Sequence, residues 1–219
     1  MGNKGSKHHI NRDQVLGLVL AGGHSRRMKG PDKADMILGG KSLLVRTTDY
    51  MAAQVHQLIV SSNIPRPAID GRDIPIIADS VPDRPGPLAG LLAAMDWAAG
   101  NAAGSEWVFC VSVDTPLAPA DLLAQLMAAC QPGDKAVVAM SCCRLHPTIG
   151  LYRLSLALGL RAYLEGGERK AITWAQSIPA RTLDFGTMDP DPFFNVNTPE
   201  DFAHPAIQNL PANRNLEDD

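Results

Sequence analysis

What the chain lacks narrows the field first. It has no C-x-x-C pair: its four cysteines are Cys110, Cys130, Cys142 and Cys143. A zinc site or a disulfide framework is thereby disfavoured, and free thiols in a reducing cytoplasm are expected. No apolar run approaches the ~20 residues that a membrane-spanning helix needs. Charge of one sign is also missing, with 20 Lys and Arg against 23 Asp and Glu and a net charge of -3. Such a balance offers no basic field for nucleic acid, so any cationic site must be local. Aromatic residues make up only 5% of the chain; Trp97, Trp107 and Trp174 are expected to pack, not to stack on bases. Met1 to Arg12 is polar, with no apolar segment of the kind a signal peptide carries. That leader and the polar stretch 210–219 are expected to be disordered. Two glycine signatures are absent as well: neither the G-x-G-x-x-G dinucleotide loop nor the G-x-x-x-x-G-K-[ST] P-loop occurs. A dehydrogenase or P-loop NTPase is therefore disfavoured.

Hydrophobic residues make up 45% of the 219, enough for a well-packed core. Short apolar runs alternate with helical patterns. Strands are expected at Val15–Leu20, Gln57–Ser61, Ile74–Ala78, Glu106–Val113 and Ala136–Met140. Between them fall helices from Leu43 with Ser42 as N-cap, from Leu88 to a stop at Gly100, and from near Pro119 to Cys130. This rhythm implies β-α-β units, and hence an α/β fold with a doubly wound, mostly parallel sheet flanked by helices. Further on come helices near Ser155–Glu165 and Glu168–Gln176. Extended pieces follow at Ala180–Phe185 and Phe193–Val196, and a capped helix start at Thr198-Pro199-Glu200-Asp201. With no repeat and no clean linker, residues 13–205 are expected to form one domain.

Three chemically distinctive features fall at strand ends, where ligands bind in open parallel sheets. The run Val15–Leu20 breaks into Ala21-Gly22-Gly23, then Ser25, Arg26, Arg27 and finally Asp32-Lys33. Glycines let backbone N–H groups approach a ligand, and Arg and Lys suit a polyphosphate. Asp79 ends the third strand, where it either contacts a ligand or closes an Asx turn. Asp114 ends the fourth, either as an oxygen ligand for Mg²⁺ or as a side-chain cap of the next turn.

These residues carry a family resemblance. Leu20-Ala21-Gly22-Gly23-x-Ser25-x-Arg27-Met28 followed by Asp32-Lys33 resembles the signature loop of the nucleotidyltransferases. Pro85-Gly86-Pro87-Leu88-Ala89-Gly90, Val113-Asp114-Thr115-Pro116, His146-Pro147-Thr148, Gly167-Glu168-Arg169-Lys170 and Asn195-Val196-Asn197-Thr198-Pro199-Glu200 narrow it to the molybdenum cofactor guanylyltransferases. The resemblance implies a Rossmann-like nucleotidyltransferase fold. It also implies Mg²⁺-dependent transfer of GMP from GTP to molybdopterin, with release of pyrophosphate. Leu20, Ala21, Gly22 and Gly23 would then lie against the nucleotide, and Asp79 would contact it. Arg27 and Lys33 would neutralise the triphosphate, Asp114 would hold Mg²⁺, and Asn195 and Asn197 would engage the pterin. Other molybdenum-cofactor biosynthesis proteins or acceptor molybdoenzymes are the macromolecular partners it implies; neither nucleic acid nor membrane is one. Two positions depart from the family pattern. Lys29 stands where a glycine usually follows the methionine, and Ser61 stands where some members have a nucleotide-contacting asparagine. Ser61 offers one hydroxyl in place of a two-sided amide, and Asn63 is not assigned that role. His146 is read as a loop histidine as readily as a substrate contact, and Glu168-Arg169-Lys170 as an exposed charge run.

Overall fold

Burial along the first strand, β1 (Val15–Leu20), alternates between two cores. Val15 and Val19 face one core, and Leu16, Leu18 and Leu20 face the other. A strand covered by helices on both faces is apolar throughout, and this one is. The structure is a computed structural model describing residues 10–22, 32–80 and 86–210. The described chain continues through the short ribbon β2 (Ile37–Leu38) and β3 (Lys41–Ser42), α1 (Leu43–Ala52), β4 (Gln57–Ser61), β5 (Ile76–Ile77) and α2 (Pro87–Asn101). Next come β6 (Trp107–Ser112), α3 (Leu122–Ala129), β7 (Ala136–Ser141), β8 (Arg144–Arg153), α4 (Ala157–Glu165), α5 (Ala171–Ser177) and β9 (Ala180–Asp184). The short helices α6 (Pro199–Phe202) and α7 (Pro205–Gln208) follow.

Seven strands form one sheet in the order β5-β4-β1-β6-β8-β7-β9. Its pairings are parallel except those of β8 with β6 and with β7. The expected α/β, mostly parallel architecture is thus present. Helices α1 and α3 cover one face with Phe193, Val196, Phe202 and Ile207, while α2, α4 and α5 cover the other. Trp107 and Trp174 are packing residues, as expected. Ser42 caps α1 by accepting a hydrogen bond from the Val45 N–H at 3.2 Å.

Several local expectations are corrected. The third strand is only Ile76–Ile77, since Pro75 cannot donate to a ladder. α2 runs through Gly100 to Asn101, because the apolar face of the helix outweighs a glycine's propensity cost. Phe193–Val196 is a loop docked on the sheet end, not a strand. The leader's boundary shifts too: Ile10 is 3% exposed, and Asn11 caps a short turn over Arg12–Gln14. Residues 1–9 and 211–219 lie outside the described residues.

The largest surprise is β8, an antiparallel strand of ten residues. Its hairpin with β7 turns at Cys142 and Cys143, whose φ values of 47° and 60° are left-handed. A two-residue hairpin turn asks for that conformation and usually finds Asn-Gly to adopt it. The register then slips: Val138 pairs with Gly150 but Ala139 pairs with His146. Pro147, Thr148 and Ile149 are left as a bulge, which a proline without an N–H suits. The Tyr152 hydroxyl donates to the Pro147 carbonyl at 2.7 Å and holds the bulge.

Candidate active site

β1 is the strand at which the chain order reverses, with β4 and β5 on one side and β6 on the other. The carboxyl ends stand level, since Leu20 pairs with both Ser61 and Ser112. They are pinned by Ala21 N–H to the Ser61 carbonyl (3.0 Å) and Val113 N–H to the Leu20 carbonyl (3.2 Å). Such a switch point opens a crevice, and ligands occupy it in open parallel sheets. Here a cavity of about 280 Å³ is lined by Leu20, Gly22 and Asp114 from the strand ends, Arg144 and His146 from the bulged hairpin, and Asn195. Pro87, the first residue of α2, reaches the same cavity. A helix N-terminus presents partial positive charge, which favours anions.

Beside the cavity, three residues distant in sequence meet. Lys33 lies on a short turn, Lys33–Asp35, which Asp32 caps through Oδ1 to the Ala34 N–H at 3.0 Å. The Lys33 ammonium donates to Asp114 Oδ2 at 3.1 Å and to Asn197 Oδ1 at 2.5 Å. The side chains of Lys33 and Asp114 are 16% and 19% exposed, so water screens the pair only in part. Asp114 is tied to the same loop by its backbone, because its carbonyl accepts from the Val196 N–H at 2.8 Å.

The loop bearing the asparagines is held by Asp201. Its carboxylate accepts from the N–H groups of Asn197 (2.7 Å) and Thr198 (2.8 Å), while the Asp201 N–H donates to Thr198 Oγ1 at 3.2 Å. This is the reciprocal cap expected at the start of α6. Burial raises the Asp201 pKa, but the Asn197 and Thr198 N–H donors, with the Thr198 side chain and the Lys33 charge, together leave the carboxyl below its ordinary value. Asn197 also donates through Nδ2 to the Asn195 carbonyl at 3.3 Å. The two asparagines therefore part company: Asn195 lines the cavity, while Asn197 holds the lysine.

Asp79 is not brought to this cluster. It stands beyond β5, where Asn63 Nδ2 donates to its Oδ2 at 2.8 Å and its own N–H donates to Asn63 Oδ1 at 2.9 Å. Ser61 Oγ is 3.4 Å from the other carboxylate oxygen. Ser61 is 2% exposed beneath Gly90, where a Cβ would lie 2.5 Å from Ser61 Oγ. Asn63 is thus the outward-facing amide beside Asp79, although no role was assigned to it from sequence. Gly23, Arg27 and Lys29 lie outside the described residues. Glu168, Arg169 and Lys170 are exposed.

Comparison with known proteins decides the family. The sequence matches the MobA-like NTP transferase domain over residues 17–179. It is 40% identical over 189 residues to the molybdenum cofactor guanylyltransferase of Rhodopseudomonas palustris (strain BisB5), covering 85% of this chain and 90% of that one. The chain belongs to the molybdenum cofactor guanylyltransferase family. It is therefore a nucleotidyltransferase. Two solved structures share its fold. The molybdopterin-guanine dinucleotide biosynthesis protein A of Archaeoglobus fulgidus aligns with a TM-score of 0.69 at 22% identity, over 86% of this chain and 95% of that one. A Mycobacterium tuberculosis protein solved in complex with manganese aligns with a TM-score of 0.62 at 16% identity, over 90% of this chain and all (100%) of that one.

The donor set of this guanylyltransferase family member limits how a metal could be held. Among the described residues no group of three or more His, Cys, Asp or Glu converges, which excludes an all-protein cage there. Asp114 keeps Oδ1 free among the described residues while Oδ2 rests on Lys33. One free carboxylate oxygen fits Mg²⁺, which takes most of its ligands from water and substrate phosphates.

The hairpin side of the transferase holds residues that sequence reasoning undervalued. Ser141 donates its hydroxyl hydrogen to Asp191 Oδ1 (2.6 Å), so it accepts from His146 Nε2 at 2.8 Å. The imidazole is thereby oriented, with Nδ1 left as the acceptor. Burial pushes the His146 pKa down; Asp191 opposes that shift and Arg144 adds to it. Arg144 has no ion-pair partner among the described residues. The signal for Arg144 was its place next to His146-Pro147-Thr148, whereas nothing local marked Ser141 or Asp191. Arg66 was missed as well, and nothing in its neighbourhood distinguishes a buried arginine from an exposed one.

Proposed function

We propose that this chain transfers GMP from GTP to molybdenum-bound molybdopterin, in a Mg²⁺-dependent reaction that releases pyrophosphate. The observation that carries this reading is the junction of Lys33, Asp114 and Asn197 at the switch point of the sheet. It joins a phosphate-type lysine, a metal-type carboxylate and the asparagine loop in one hydrogen-bonded set. The names of the relatives support guanine as the base and molybdopterin as the acceptor.

In the proposed reaction a phosphate oxygen of the acceptor attacks the α-phosphorus of GTP. A new P–O bond forms as the bond to the β-phosphate oxygen breaks, and pyrophosphate carries away the electron pair. An ionised phosphate nucleophile needs no dedicated base, so the task is positioning and charge stabilisation. Leu20, Ala21, Gly22 and Gly23 present backbone groups to the nucleotide, and Asp79 contacts it from the β5 side. Lys33 has three donors, of which Asp114 and Asn197 take two. The third is left for a phosphate oxygen. Arg27 adds a second cation. Asp114 is the residue that holds Mg²⁺, which when bound neutralises phosphate charge. Asn195 meets the acceptor inside the cavity, and Asn197 couples the acceptor loop to Lys33. Residues 13–205 serve as one nucleotidyltransferase domain, supported by the single large sheet that both cores share. The setting proposed is the cytoplasm, supported by four free cysteines.

The test is to incubate the purified chain with Mg²⁺, molybdopterin and GTP or CTP, and to measure pyrophosphate and the dinucleotide. Guanine dinucleotide with GTP is expected. Product with CTP alone would identify a cytidylyl-transferring relative. Product with a sugar phosphate in place of molybdopterin would identify a different acceptor class.

A further inference from the structure

Arginine is rarely buried fully unless it is paired. Arg66 is 1% exposed, in the loop between β4 and β5. Its guanidinium serves two separate stretches of chain. Nε donates to Ser62 Oγ at 2.8 Å, and Nη2 donates to the Ala21 carbonyl. The same Nη2 lies 3.1 Å from Asp32 Oδ2, and Nη1 lies 3.6 Å from Asp35 Oδ2. Among the described residues Nη1 makes no hydrogen bond although it is buried. Ala21 follows β1, while Asp32 and Asp35 bracket Lys33. The polar partners of Arg66 do not include Lys33 itself.

Asp32 is the link. Its Oδ1 caps the turn that carries Lys33, and its Oδ2 is occupied by Arg66. Without the guanidinium, Asp32 would be an unpaired carboxylate one residue from an ammonium. It would then compete with Asp114 for Lys33. Charge pairing by Arg66 removes that competitor, and the bond to Ala21 fixes the turn relative to the end of β1.

We propose that Arg66 is a positioning residue, which keeps the Lys33 ammonium on Asp114 and Asn197 by neutralising Asp32 and tying it to Ala21. The proposal rests on the transferase reading above for its kinetic readout. The test is a double-mutant cycle with R66Q, K33M and the pair, read as kcat/KM for the nucleotide. R66Q alone should lower kcat/KM by about 100-fold, the scale of a misplaced catalytic group. In the K33M background it should lower kcat/KM by no more than roughly 3-fold, because residues acting through one another are non-additive. D32N, which keeps the capping oxygen and loses the charge, should restore at least about 10-fold of the loss when added to R66Q, by the same coupling. Multiplicative effects of R66Q and K33M, or no rescue by D32N, would overturn the proposal and leave Arg66 a structural residue. Should R66Q fail to fold, R66K carries the cycle, with a smaller loss that K33M must likewise abolish. If the wild type forms no guanylyl product, the reading of the reaction falls. The same cycle is then read as the Kd of Mg²⁺-nucleoside triphosphate by thermal shift, where non-additivity supports the role of Arg66 and additivity refutes it.

Discussion

On one side of the cleft the chain runs β1, α1, β4 and β5, with parallel pairing and, in β1, burial at every position. On the other side, β7 and β8 form an antiparallel hairpin with two left-handed cysteines at its tip and a proline-containing bulge in its ladder. The first side is made of regular β-α-β geometry and delivers strand ends, backbone groups and, beyond β5, the Asp79 carboxylate beside Asn63. The second departs from regular geometry at several points, and each departure places something at the cavity. The bulge presents His146 and Pro147, and the residue beside the turn presents Arg144. In the proposed reaction, regular elements would supply the generic phosphate side, and irregular ones the side that tells one acceptor from another. The two meet at Lys33, Asp114 and Asn197.

Substitutions at the meeting point should have the largest effects. Asp114→Asn keeps the shape and removes the charge, so kcat/KM should fall by about 1,000-fold with little change in Tm, as for loss of a metal-holding or charge-stabilising group. Lys33→Met should cost about 100-fold in kcat/KM by steady-state kinetics. A loss below about 5-fold at either residue would separate the junction from the chemistry.

Stability effects should be smaller and should distinguish the two sides. Gly90→Ala puts a Cβ 2.5 Å from Ser61 Oγ and 2.7 Å from Leu20 Cδ2. The overpacking should destabilise the regular side by about 1–3 kcal/mol in urea melts. Tyr152→Phe removes the hydroxyl that holds the Pro147 carbonyl, at about 1 kcal/mol. If the bulge positions the acceptor, the KM for the acceptor should rise with it while the KM for GTP stays unchanged.

The smallest effect is a pH dependence confined to the irregular side. Burial lowers the His146 pKa from the ordinary 6.5, so the unfolded chain binds a proton more readily than the folded one. The stability from neutral His146 is complete above pH 6.5 and declines as pH falls below it. The urea midpoint should drop between pH 7.5 and pH 5.5, and the drop should shrink in His146→Asn. An equal drop in both proteins would place the titration elsewhere.

How much was legible follows the same divide. Ser42 as a cap, the strand Val15–Leu20 and the helix starting at Leu43 were readable because local pattern and tertiary demand agree there, although the helix ends at Ala52 and not at Gln54. β8 was not readable, because Cys142-Cys143 lacks the Asn-Gly signal and Pro147 interrupts an otherwise alternating run. Lys33, Asp114 and Asn197 were each identified by residue type, but their contact spans 81 and 164 residues of sequence and is a property of topology alone. Asp79 was grouped with them by its strand-end position, and the strand order then set it apart. Burial hid Arg66 altogether, since charge in a loop ordinarily signals solvent.

The most direct test of the junction compares Asn195→Ala with Asn197→Ala, varying GTP and the acceptor separately. Asn195 lines the cavity and its side chain makes no bond to Lys33, so its loss should raise the acceptor KM by about 10-fold and leave the GTP KM unchanged. Asn197 also holds Lys33, so its loss should degrade the kinetics toward both substrates. Identical behaviour of the two variants, with GTP kinetics untouched in each, would contradict the account.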